Sequence, residues 1–312
     1  MTEFGRLDPL VALLSAVILD LVFGEPRRFH PLVWLGWMIR HVECLCYGNG
    51  PSNMRHLRGL VAVLLLLAPL VALAFFMQRF LSVAFSSIIL YFSIAPRSLR
   101  EHAMQVAGAL ENGDLMDARV AAGKMVSRET GRLDEAGVAR ATIESVLENG
   151  SDAIFAAIFW FVLAGAPGVL LYRTSNTLDA MWGYRNARYN EFGWAAARLD
   201  DLLNFIPARL TAISYALLGH IPSAFRCWSQ QAPKWDSPNA GPVMASGAGA
   251  LQVRLGGLAI YDGECCDRPL LGCGRDAECK DIFRAVRLVQ YTLYLWLFVL
   301  CCTAFVLKGW YA

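Results

Sequence analysis

The amino-acid sequence predicts an all-α fold, a polytopic helical membrane protein whose long polar loops are themselves partly helical. Three observations carry that expectation. Hydrophobic residues make up 56% of the 312 positions against 17% charged, and mean hydropathy is +0.41, a balance outside that of soluble globular domains. Four stretches contain no Asp, Glu, Lys or Arg: Gly59 to Gln78, Phe80 to Pro96, Ala153 to Tyr172 and Leu288 to Leu307. The segments between them have helix-forming composition, and no long alternating β-branched run competes.

The whole chain, 1–312, reads as one integral-membrane domain with spans at 59–78, 80–96, 153–172 and 288–307. Most of these approach the ~20 residues that cross a hydrocarbon core. Segments 9–23 and 210–225 are weaker, because the first runs into Asp20 and the second contains His220 and Pro222. The N-terminus carries a single cation, Arg6, and no small-residue cleavage site precedes the Gly24-Glu25-Pro26-Arg27-Arg28 turn, so it is expected to be retained. Within 153–172, Gly165-Ala166-Pro167-Gly168 breaks the helical pattern. A single span and a re-entrant pair of half-helices both accommodate that break. The last span is bracketed by Arg287 and Lys308 and carries Tyr291, Tyr294, Trp296, Trp310 and Tyr311, aromatic groups suited to membrane interfaces.

Of the polar parts, Ala103 to Leu110, Ala118 to Val126 and Leu133 to Leu147 predict helices with breaks at Gly113 and Gly131. Pro233 to Gly274 is rich in Gly and Pro and predicts loop. There is no solenoid repeat and no low-complexity tract. A net charge of +2 without a basic run argues against nucleic acid as a partner. The nine Cys include Cys265, Cys266, Cys273 and Cys279, whose spacing fits neither a zinc site nor a disulfide framework, so reduced thiols are expected.

Several polar residues merit a chemical reading. Arg140, Glu144, Glu148 and Asp152 recur every four residues, one helix face running into the apolar segment at Ala153. Such a stripe can hold a divalent cation, or it can be a solvated face with an Arg140–Glu144 ion pair. Asp200 or Asp201 shares a face with Asn204, an oxygen-rich set suited to a hard cation. The bland alternatives are Asp179 as a helix cap, Asp200 as a partner of Arg198 and Pro207 in a first helical turn. Ser237-Pro238-Asn239-Ala240-Gly241-Pro242, followed by Gly247-Ala248-Gly249 and Leu255-Gly256-Gly257, is a Gly-rich stretch whose backbone N–H groups could approach phosphate, but neither a Walker A loop nor a dinucleotide fingerprint is present. His30, His41, His56 and His102 have no zinc-type spacing and suit structural hydrogen bonds.

Taken in order, these pieces form a recognisable set: Leu19-Asp20 with Gly24-Glu25-Pro26 and His30-Pro31, Gly123 to Thr130, Glu144 to Asn149, Asn176 to Asp179, Ala196 to Asp201 and Ser237 to Gly241, running on to Arg254-Leu255-Gly256-Gly257 and Tyr261. The chain closely resembles the adenosylcobinamide-phosphate synthase family of cobalamin biosynthesis (CobD/CbiB). The resemblance implies an inner-membrane, multi-pass ligase that joins adenosylcobyric acid to aminopropanol or its phosphate. ATP is then a cosubstrate, the corrinoid a substrate and Mg²⁺ the expected metal, and other membrane enzymes of corrinoid assembly are conceivable partners. Asp179, Glu148, Asp200 and Asp201 are the expected catalytic groups, with Asp179 as general base. Glu144, Glu148, Asp200 and Asp201 are the expected Mg²⁺ ligands. Lys124, Arg128, Arg185, Arg198, Asn176, Ser237 and Asn239 are the expected substrate and phosphate contacts. After the Glu-Asn motif the family often reads Asp-Gly with a Pro a few residues later, whereas here Asp152 leads into Ala153-Ile154-Phe155-Ala156-Ala157. A transporter, scaffold or sensor related to the same family is the alternative, and it predicts no ATP-dependent covalent product.

Overall fold

The computed structural model describes residues 8–26, 30–261 and 263–310. Helices dominate, as expected, and one small three-stranded sheet is added to them. The contacts divide the chain into two compact units. The first comprises residues 1–95, 156–204 and 300–312, and the second residues 96–155 and 205–299.

The first unit contains α1 (Asp8–Phe23), α2 (Pro31–Cys46), α3 (Ser52–Tyr91), α7 (Ala156–Trp182) and the start of α8 (Trp194–Leu218). The stretches 59–78 and 80–96, read as two spans, lie on one continuous helix apart from their final residues. Pro69 is the one proline within it, and the helix continues through its apolar flanks. His30 caps α2 by accepting the Leu32 N–H, the structural use expected for an isolated histidine before proline. In α7 the backbone kinks at Gly165 (φ +62°), a conformation that favours glycine, and the Gln78 side-chain oxygen accepts the freed Ala166 N–H at 2.8 Å. The core packs Trp182 and Phe192 against Ile39, Val63 and Leu66, all but excluded from solvent.

The second unit contains α4 (Pro96–Glu111), α5 (Leu115–Ala122), α6 (Glu135–Gly150), α9 (Ile221–Gln231), α10 (Ala240–Leu251) and most of α11 (Cys279–Trp310). The three predicted loop helices are α4, α5 and α6. Asp114 and Asp134 cap the last two by accepting N–H groups of Asp117 and Gly137. A π-helical turn, Ser151–Phe155, follows α6 and shifts the register of the acidic stripe at Asp152. The segment 210–225 is divided, because α8 ends at Leu218 and His220 caps α9 through the Ser223 N–H.

The expectation of loop for Pro233 to Gly274 is overturned. Ala240–Leu251 is a helix with every residue buried, and its glycines serve close packing: Gly247 lies against Leu147 and Gly249 against the Ser223 backbone. Beyond it, β1 (Val253–Tyr261) pairs antiparallel with β2 (Glu264–Gly272), and β3 (Arg275–Asp276) pairs parallel on the other side of β1. Gly256 and Gly257 have positive φ beside a register shift in β1, so the Gly-Gly pair forms a bulge rather than a loop. None of the nine cysteines is in a disulfide. Three helical segments are long and apolar enough to cross a membrane among the described residues: Ser52–Leu81, Glu135–Trp182 and Cys279–Val306.

Candidate functional site

Two clusters gather the polar residues singled out in the sequence, one in each unit. In the first unit, α7 and α8 bring Asn176, Asp179, Asp200, Asp201 and Asn204 together. Asp200 is 9% exposed, and its two oxygens accept one amide N–H each, from Asn204 at 2.9 Å and Asn176 at 3.4 Å. The Asn204 oxygen in turn accepts from the Tyr172 hydroxyl at 3.0 Å, and the Asn176 oxygen from Arg173 at 3.2 Å. Each amide is thereby oriented with its N–H₂ towards the carboxylate.

These neighbours solvate Asp200 without neutralising it. Burial pushes its carboxyl up to about 7, the charge of Asp179 adds to the rise, and the two amide hydrogen bonds oppose it. Asp201 also rises through burial, against the pull of Arg198 and Arg185. Arg198 meets Asp201 in an exposed pair at 3.4 Å. It does not pair with Asp200, the bland partnership that spacing alone allowed. Asp179 is half-buried in the last turn of α7, so it does not cap the start of a helix. Its carboxyl packs against Gly183, where any side chain would overlap it.

The loop that carries Arg185, between α7 and α8, is held by a second network that spacing gave no sign of. Glu43 of α2, almost fully buried, accepts from Trp182 Nε1 at 3.0 Å, from Arg188 Nη2 at 2.6 Å and from the Tyr189 hydroxyl at 3.0 Å. Arg188 lies over the Tyr47 ring, and Arg55 pairs with Glu191 at the far end of the loop. Arg185 itself is exposed.

In the second unit the centre is Glu144 on α6, 3% exposed. Arg128 donates to its Oε2 at 2.5 Å, Arg268 donates to the same oxygen at 3.0 Å, and the Gly256 N–H donates to Oε1 at 2.7 Å. Arg140 bonds the Gly256 carbonyl at 3.3 Å, so the Arg140–Glu144 pair of the sequence reading is replaced. The bulge at Gly256 and Gly257 turns this N–H and carbonyl towards α6. Glu148 lies one turn further along, half-buried. Glu144 is thus fully engaged by protein donors, and Arg128, expected on phosphate, is spent on it. Lys124 is exposed in the turn after α5.

Ser237 and Asn239 are structural as well as polar. The Ser237 hydroxyl accepts from the Asn239 and Ala240 N–H groups, which starts α10. The Asn239 oxygen accepts from Arg209 at 2.6 Å, and Pro238 O accepts from the other arm of the guanidinium at 2.9 Å. Neither Arg209 nor Arg268 was marked from sequence. Arg268 lies in the Cys-rich stretch, outside any motif.

Among the described residues, no three His, Cys, Asp or Glu side chains converge to hold a metal ion. The four expected ligands also fall into separate units, Glu144 and Glu148 in the second and Asp200 and Asp201 in the first. The Asp200 and Asp201 carboxylates, with only the exposed Arg198 close by as a paired cation, still suit Mg²⁺. That ion is commonly held by one or two carboxylates, waters and substrate phosphates rather than by an all-protein cage.

Comparison with known proteins places the chain in a family. The family model described as CobD/Cbib protein matches residues 13–289. A Chromobacterium violaceum protein named Cobalamin biosynthesis protein CobD is 56% identical over 287 residues, covering 90% of this chain and 92% of that protein. Proteins of the same name from Stutzerimonas stutzeri and Rhodobacter capsulatus are 53% and 40% identical, each over about nine-tenths of both chains. No solved structure matches.

Proposed function

Since this chain belongs to the CobD/CbiB family of cobalamin biosynthesis, we propose that it is a membrane-bound ligase, placed in the inner membrane, that amidates adenosylcobyric acid with aminopropanol or aminopropanol phosphate at the expense of ATP. The observation that supports this most is the Asp179–Asp200–Asp201 cluster. Its carboxylates lie in segments that carry the family resemblance, and the buried one, Asp200, is met by two neutral amides rather than by a guanidinium. Acidic groups left in that condition beside apolar helices are costly unless a ligand uses them.

The chemistry assigns each group a task. The corrinoid carboxylate becomes an acyl donor when the terminal phosphoryl group of ATP is transferred to its oxygen and ADP leaves. The amine nitrogen then attacks the acyl carbon, the C–O bond to phosphate breaks, and inorganic phosphate departs as the amide forms. The attacking amine must shed a proton, and Asp179, half-buried with Gly183 leaving it room, accepts it as general base. Asp200 and Asp201 would hold Mg²⁺, with the Asn176 and Asn204 amides orienting Asp200. When bound, the ion neutralises the phosphate oxygens. Arg185 and Arg198, exposed and both attracted to Asp201, are free to turn to phosphate as it arrives.

Ligation by the detergent-purified protein tests this directly. Adenosylcobyric acid and Mg-ATP are supplied with either amine, and mass spectrometry reads the corrinoid product. The expected result is a mass gain of one amide, and the amine that supports it names the substrate. Folded protein that yields no product with either amine would overturn the ligase in favour of a membrane scaffold.

A further inference from the structure

The second unit contains an open cavity of about 410 Å³ that the reaction as described does not use. Its volume lies in the ~300–1,000 Å³ range of small-molecule sites. Trp228, Trp235, Pro233, Pro238 and Pro242 give it flat apolar walls, Arg209 is its cation and Asp236 an exposed acceptor at its edge. Both indoles are held in place: Trp228 stacks on Phe225 with planes 16° apart, and the Arg268 guanidinium lies over Trp235 at 5.4 Å.

Arg209 is fixed as firmly. One of its terminal nitrogens donates to Phe205 O at 2.9 Å and Asn239 Oδ1 at 2.6 Å, the other donates to Pro238 O at 2.9 Å, and the guanidinium lies over the Phe205 ring at 3.7 Å. None of these acceptors is a carboxylate, so the positive charge is oriented but not cancelled. A rigid, unneutralised guanidinium beside two immobilised indoles matches a ligand with an anionic end and a planar ring.

We propose that this cavity binds the nucleoside phosphate of ATP, the base lying against Trp228 and Trp235 and a phosphate oxygen meeting Arg209. Asp236 offers an acceptor to the exocyclic amine of the base. The assignment rests on the ligation reading above, and it supplies a nucleotide site where the sequence has neither a Walker A loop nor a dinucleotide fingerprint.

Titration calorimetry of the full-length protein in detergent tests it, with Mg-ATP, Mg-tripolyphosphate and aminopropanol phosphate as separate probes. Loss of a base-stacking aromatic typically weakens binding by roughly 10-fold or more. Trp228→Ala is expected to weaken Mg-ATP by that factor with little change for tripolyphosphate, and Trp228→Phe to restore most of it. Arg209→Gln is expected to weaken Mg-ATP and tripolyphosphate alike. If the wild-type protein ligates and binds Mg-ATP while Trp228→Ala and Arg209→Gln leave that affinity unchanged, the cavity assignment is wrong and the ligase stands. If aminopropanol phosphate responds to Arg209→Gln and Mg-ATP does not, the site belongs to the amine and the nucleotide assignment is likewise wrong. Wild-type protein that neither binds Mg-ATP nor ligates would remove both.

Discussion

Glu144 and Asp200 are both nearly buried carboxylates in segments of strong family resemblance, yet their surroundings are opposite. Glu144 receives two guanidiniums and a backbone N–H, so its charge is more than matched and its oxygens are filled. Asp200 receives two neutral amides, with Asp179 and Asp201 adding negative charge nearby. A balanced buried charge holds strands and helices in register; an unbalanced one costs stability until something binds. Burial alone would not have told the two apart, whereas the charge of the partners does.

The contrast is broken or sharpened most directly at Asp200 itself. Asp200→Asn keeps the size and much of the hydrogen bonding but removes the charge, and ligation is expected to fall by about 100-fold or more, on the scale of a lost metal ligand or acid-base group. Its melting temperature is expected to hold or rise. Activity within about threefold of wild type would take Asp200 out of the chemistry and leave the cluster without a purpose.

Glu144→Gln is the mirror case, with a stability loss of about 3–5 kcal/mol from stranding the buried Arg128 and the partly buried Arg268 guanidiniums. Denaturant titration in detergent measures it. Replacing Arg128, Glu144 and Arg268 together by apolar residues of similar size should recover most of that loss, because the penalty lies in the unpaired charges. A single Glu144→Gln variant as stable as wild type would show that Glu144 is not the keystone its contacts imply.

pH tests the Asp200 side of the contrast by itself. Folding raises the Asp200 carboxyl from its ordinary value to about 7, so across that window the folded protein holds a proton that the unfolded chain has released. The stability from the neutral form is therefore full below about pH 4 and declines as pH rises towards 7, by a few kcal/mol at most. Thermal melts between pH 5 and 8 are expected to fall with pH, more shallowly with Mg²⁺ present, and to lose part of that slope in Asp200→Asn. An unchanged slope in that variant would place the titrating group elsewhere.

Much of the framework was legible because it is local. The helices α4, α5 and α6 follow from apolar spacing, Asp caps and glycine breaks within a few residues of one another, and the apolar helices follow from composition. What escaped depends on partners far apart in the chain. Arg268 reaches Glu144 across 124 positions and Glu43 meets Tyr189 across 146, and no periodicity encodes either pairing. The sheet was hidden by its glycines, since Gly256 and Gly257 read as loop when they form a bulge that aims a backbone N–H at Glu144. The cluster of Asn176, Asp179, Asp200 and Asp201 was legible as a set of residue types. Its Tyr172 and Arg173 supports were not, because they sit at the end of an apolar run.

The smallest expected effect carries the finest distinction. Arg198 pairs with Asp201 at 3.4 Å with its side chain 64% exposed, and such a pair contributes no more than about 0.5 kcal/mol at a helix surface. Arg198→Gln is therefore expected to leave the melting curve essentially unmoved. If the guanidinium turns to phosphate during ligation, the same substitution raises the KM for a phosphorylated substrate several-fold and leaves kcat nearly constant, since it removes binding common to ground and transition states. An unchanged KM would return Arg198 to the solvated surface and leave Arg185, on the loop held by Glu43, as the cation next to Asp201.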